Sequence, residues 1–252
     1  MAGSLRWPGA SLARSAAAAP ARRKPAKRRA VKRALPRLPR GARPRAALTV
    51  ERLARIYPAA CELDHRNPFE LTISTILSAQ TTDKMVNLVT PELFARYPTA
   101  ADLAAADPAD VERIIKPTGF YRNKAHSIIA CARAITDRFG GLVPSRMEDL
   151  ITLPGIGRKT ANVILGVGFG VPGFAVDTHV TRLTNRLGLV ATRDPVKIEA
   201  LVTKIVPPSE WTGLSLRLIL HGRRVCFAPR PYCEGCVLND FCPSSTVKPH
   251  KQ

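Results

Sequence analysis

Three groups of residues in this chain have types and spacings that could do chemistry. In Leu153–Asn162, LPGIGRKTAN, glycines at 155 and 157 bracket an isoleucine between two helix-like runs. A turn of this kind exposes backbone N–H groups at a helix start, where they can seat a phosphate and so grip a nucleic-acid backbone. Lys159 follows directly, a primary amine able to attack a carbon that bears two heteroatoms. Asp177 in Val176–Val180, VDTHV, supplies a carboxylate that could serve it. Near the C-terminal end, Cys226, Cys233, Cys236 and Cys242 form C-x6-C-x2-C-x5-C. Four thiolates with one tight pair could hold either zinc or a 4Fe–4S cluster, since both accept four sulfur ligands.

Each group has a plainer reading when taken alone. A G-x-G is commonly an ordinary turn, a lysine on a helix is commonly solvated, and Asp177 before Thr178 is a good N-cap. The cap and the chemistry are compatible in one residue. A lysine attacks carbon only as the neutral amine, which the charge of Arg158, the helix N-terminus and exclusion of water would all favour. His179 reads as a partner for backbone or phosphate more readily than as a general base.

Composition bounds the partners. Of a formal net charge of +20, residues 1–46 carry +14, with fourteen Lys or Arg, six prolines and no acidic residue. That segment has no apolar period with which to offset its chain entropy, so it is expected to be disordered, serving either as a tether to DNA through counterion release or as a solvated tail that only aids solubility. An Arg-rich, acid-poor start also resembles an organellar transit peptide. No stretch approaches the roughly 18 apolar residues of a membrane span, and six cysteines without a secretory leader argue against a disulfide framework. A soluble intracellular protein is expected, in the cytoplasm or nucleoid if bacterial. Cys61 and Cys131, isolated among helical residues, read as small buried hydrophobes.

From Leu48 onward the elements that must position these groups read as helical, roughly ten of them by pattern. Asn67-Pro68, Asp107-Pro108 and Asp194-Pro195 each place a capping side chain before a proline at the first helical position. Ser145-Arg146-Met147-Glu148 has the form of a capping box. Phe69, Ile73, Ile76 and Leu77 repeat at helical spacing, and no stretch alternates convincingly with period two. The fold class is all-α.

LPGIGRKTAN with VDTH behind it, LSAQTTDK at Leu77–Lys84, and the cysteine spacing directly after LHGRRV closely resemble the endonuclease III family of helix-hairpin-helix DNA glycosylases, over about Cys61 to Pro243. The resemblance implies a two-lobed fold with a C-terminal iron–sulfur cluster loop. One lobe would span residues 61–171, the other residues 47–60 with 172–252, and DNA would lie between them. It implies a monomer that binds double-stranded DNA containing damaged bases or abasic sites, Lys159 and Asp177 being catalytic and the four cysteines holding a 4Fe–4S cluster. Gln80 would fill the space left by an extruded nucleotide, and Phe120 occupies the place of a second wedge, usually aliphatic. Leu153, Gly155, Gly157, Arg158, His179 and Arg230 would contact DNA, the hairpin through a bound monovalent cation. Oxidised pyrimidines are the implied lesions. The nearest rival is the adenine-specific mismatch glycosylase of the same superfamily, which usually lacks a lysine at this position and carries a further C-terminal domain. A noncatalytic DNA-binding or redox-sensing iron–sulfur module is the rival from another class, disfavoured by the presence of both Lys159 and Asp177.

Overall fold

The computed structural model describes residues 35–247. The tether or solvated tail expected of the basic segment therefore lies, for residues 1–34, outside the described residues.

Capping chemistry sets most of the helix starts. Asn67, Asp107 and Asp194 each accept a backbone N–H from the first turn behind them and open α2 (Pro68–Leu77), α5 (Pro108–Ile115) and α10 (Pro195–Val202) with proline at the first position. Thr82 caps α3 (Asp83–Arg96), and Asp177 caps α9 (Thr178–Arg186). The expected box at Ser145 does not form. Arg146 takes the cap position of α7 (Met147–Leu150) without a side-chain bond and pairs with Glu148, the carboxylate the box required. A reciprocal box occurs instead where Thr99 and Asp102 open α4 (Ala100–Ala104).

With α1 (Ala42–Ile56), α6 (Tyr121–Phe139), α8 (Arg158–Val163) and α11 (Trp211–Arg224), the described residues form eleven α-helices and no strand. A π-helical turn, Ile164–Gly168, continues α8. The expected disorder through residue 46 is corrected here: α1 begins at Ala42, and Ala42 and Ala46 are buried. The cause is Arg45, whose guanidinium donates to Leu187 O and Gly188 O, both at 2.8 Å, at the C-terminal end of α9. A cation at that end is favoured by the helix dipole. Composition shows only the charge of this arginine, whereas its partners lie far along the chain.

Apolar side chains gather into two cores. The first joins α2 through α8 around Ile73, Leu77, Leu93, Ile128, Ile135 and Ile164. The second joins α1, α9, α10 and α11 around Leu53, Phe174, Leu183, Leu214 and Leu218. Full burial of each such side chain contributes about 1.5–3 kcal/mol. Between Phe169 and Asp177 the chain crosses from one core to the other, and α11 ties this segment down: Thr212 Oγ1 donates to Gly173 O and Ser215 Oγ to Ala175 O. Asp177 is thereby delivered to a fixed place.

Candidate functional site

Between the two cores lies a cleft of about 440 Å³, and Lys159, Asp177, Gln80 and His179 all line it. Lys159 comes from the second position of α8, on the first core; Asp177 precedes α9, on the second. The described residues contain no carboxylate in ion-pair range of Lys159, while Asp177 Oδ1 accepts Val180 N–H at 2.8 Å. One carboxylate oxygen is thus committed to the cap and the other is free for a ligand. Lys159 is exposed, so closing water out of the site falls to a bound strand.

The hairpin that carries Lys159 turns through Gly155, whose φ of 76° lies in the left-handed region. Ile156 N–H closes the turn on Leu153 O at 3.2 Å. Leu153 and Ile156 face into the first core, so a contact from Leu153 to DNA is limited to its backbone. Gly157 starts α8 with no side-chain cap, leaving first-turn N–H groups for an outside acceptor. Arg158, beside the hairpin, is engaged within the protein. Its guanidinium is bound to both oxygens of Glu199 on α10, at 2.7 and 2.8 Å, which raises its pKa. An arginine so paired presents little net charge to a phosphate.

His179 Nδ1 accepts from Arg182 at 3.1 Å, which fixes the ring. Gly222 of α11 makes room for it, since a Cβ there would stand 2.8 Å from His179 Nδ1. Gln80 and Phe120 are the two non-glycine residues with positive φ among the described residues, at 55° and 47°, and both are exposed at helix junctions. Buried Lys124 donates to Thr118 O at 2.8 Å and so pins the turn that presents Phe120. Phe120 is outside the cleft lining. Arg230 is exposed in the loop between the first two cysteines.

Cys226, Cys233, Cys236 and Cys242 are free thiols lining one small cavity of about 30 Å³. N–H donors point at two of the sulfurs, Arg186 Nη1 to Cys226 at 3.3 Å and Leu238 N to Cys236 at 3.4 Å, and His221 Nε2 lies 3.3 Å from Cys236. Tyr57 meets the other nitrogen of His221 at 3.2 Å, and burial holds that imidazole neutral by lowering its pKa to about 4. Burial pushes the Cys236 thiol up to about 11. No three of the His, Cys, Asp or Glu side chains among the described residues stand close enough to hold a single metal ion. Of the other two cysteines, Cys131 is buried as expected, whereas Cys61 is half-buried and lines the cleft.

Several cleft residues were not singled out from the sequence. Glu62, Asp83 and Arg223 also line it, and Arg223 Nη1 donates to Glu62 at 2.7 Å and Asp83 at 2.8 Å. They come from three distant segments, and each alone is an unremarkable charge. Asp83 falls within the quoted LSAQTTDK run, the one signal that could have drawn notice to it.

An all-helical chain with an amine-bearing hairpin across a cleft from a carboxylate falls among the HhH-GPD superfamily base excision DNA repair proteins, whose family model matches residues 73–208. Within that class, the chain is 50% identical over 195 residues to an endonuclease III from Synechocystis, covering 77% of this chain and 89% of that one. A solved non-covalent complex of endonuclease III with DNA superimposes with a TM-score of 0.76 at 42% identity, over 80% of this chain and 95% of that one. A trapped covalent endonuclease III–DNA intermediate gives 0.76 at 43% identity, over 80% and 96%. The chain belongs to the endonuclease III family. Among the described residues no helix is long and apolar enough to cross a membrane.

Proposed function

We propose that this chain is a bifunctional DNA glycosylase and abasic-site lyase of base excision repair, acting on oxidised pyrimidines in double-stranded DNA through an imine on Lys159. The observation that carries the reading is the meeting of Lys159 and Asp177, from different cores, on one cleft with the amine unpaired among the described residues. Relatives supply the context: a covalent intermediate with DNA is what a lysine nucleophile would leave when trapped.

A base can be attacked at its sugar only after leaving the stack, which costs a few kcal/mol and least at a damaged base. Gln80 and Phe120 are the candidates to fill the vacated space, supported by their left-handed backbones, since strain of this kind collects where a side chain must be aimed. The free N–H groups at Gly155 and Gly157 would hold the strand, directly or through a monovalent cation. The amine of Lys159 then attacks C1′, the C1′–N bond breaks and the base leaves with its electron pair. The free oxygen of Asp177 stabilises the positive charge that develops on the sugar. Ring opening gives the imine, and loss of the 2′ proton expels the 3′ phosphate by β-elimination.

The four cysteines fit a 4Fe–4S cluster. All four line one cavity, and Cys226 and Cys236 receive N–H donors, which suit thiolates. Such a cluster would staple the loop after α11 and support Arg230 toward DNA. The two cores correspond to two lobes that hold the cleft between them.

Lys159→Ala is expected to abolish borohydride trapping on a duplex containing an abasic site, at unchanged melting temperature. Persistent trapping would move the nucleophile elsewhere.

A further inference from the structure

The face of α11 turned to the cleft repeats at helical spacing. Leu216, Ile219 and Leu220 make an aliphatic wall, and one turn on, Arg223 supplies a guanidinium. Opposite stand Glu62 and Asp83. Arg223 spends only Nη1 on these two carboxylates; Nε and Nη2 have no partner among the described residues, and neither has Asp83 Oδ1. Donors beside an acceptor therefore face a cavity that Lys159 and Asp177 also line. No Phe, Tyr or Trp lines it.

We infer that Arg223 and Asp83 read the edge of the everted base, with Glu62, whose two oxygens are held by Arg223 and Arg224, bracing them. The inference rests on the glycosylase reading above and names what that site recognises. The edge of a pyrimidine imide alternates carbonyl, N–H, carbonyl: the free guanidinium donors match a carbonyl, and the free carboxylate oxygen matches N3–H. The aliphatic wall adds shape. An aromatic wall would stack on any planar base, whereas this one accepts a puckered, ring-saturated pyrimidine without favouring a flat one. The same three residues bridge the two cores, so the test must separate recognition from bracing.

Each variant is assayed on two duplexes, one carrying thymine glycol and one a pre-formed abasic site, where no base remains to be read. Arg223→Met and Asp83→Ala are expected to lower the ratio of base release to abasic-site nicking by at least about tenfold, the scale of an unpaired polar group in a built site. N3-methylated thymine glycol should slow the unaltered protein comparably, and Asp83→Ala should add no further loss on it. Equal losses on both duplexes would make the cluster a brace between the cores and overturn the inference. Equal retention, or full activity on the methylated lesion, would place the base elsewhere. The methylated substrate needs no variant, so a misfolded mutant cannot shelter the idea. If the unaltered protein failed to nick even the abasic duplex, the glycosylase reading itself would fall first.

Discussion

Both cores pack apolar side chains, but the second also carries a non-helical segment held by arginines that reach backbone carbonyls. Around α2 to α8 the supports are buried Ile, Leu and Val on regular helices whose own backbones are satisfied. Residues 225–247 contain no regular helix, so their carbonyls need outside donors. Arg182 serves Gly222 and Cys226, Arg186 serves Phe227 and Ala228, and Arg52 serves Val237. A guanidinium has five donors in a rigid fork and suits such scattered acceptors. The lesson is that the first core rests on side-chain volume, whereas the second adds to its apolar packing a hydrogen-bonded loop gathered around four sulfurs.

This contrast can be broken. Cys236→Ser should release the loop, lowering amide-exchange protection across residues 225–247 by at least about a hundredfold while helices α2 to α8 stay protected. Uniform loss across both cores would show one cooperative unit. Ile73→Ala, at a fully buried position, should remove about 2–5 kcal/mol of stability in urea titration with metal content unchanged. Arg182→Met should remove about 1–3 kcal/mol by orphaning partly buried carbonyls, with a measurable fall in retained iron that Ile73→Ala does not share.

Local signals were legible in the sequence, and long-range pairings were not. Asn67, Asp107, Asp177 and Asp194 cap as their neighbours dictate, because a cap involves residues within one turn. The all-α class followed from periodicity. Lys159 and Asp177 stood out through motif spacing, although only the fold brings them to one cleft. Arg158 pairs with Glu199 on another helix, a partner that no local pattern reveals. The Ser145 box failed because a neighbouring arginine competed for its glutamate. Glu62, Asp83 and Arg223 carry no local pattern, since what unites them is a surface assembled from three segments.

Helix α9 is seated at both ends: Asp177 opens it at the cleft, and Arg45 closes it from the far side. Anyone trimming the basic leader to improve handling would therefore reach Asp177 sooner than its position suggests. A shortened protein that begins beyond Arg45 would leave α9 without these two donors at the end opposite Asp177.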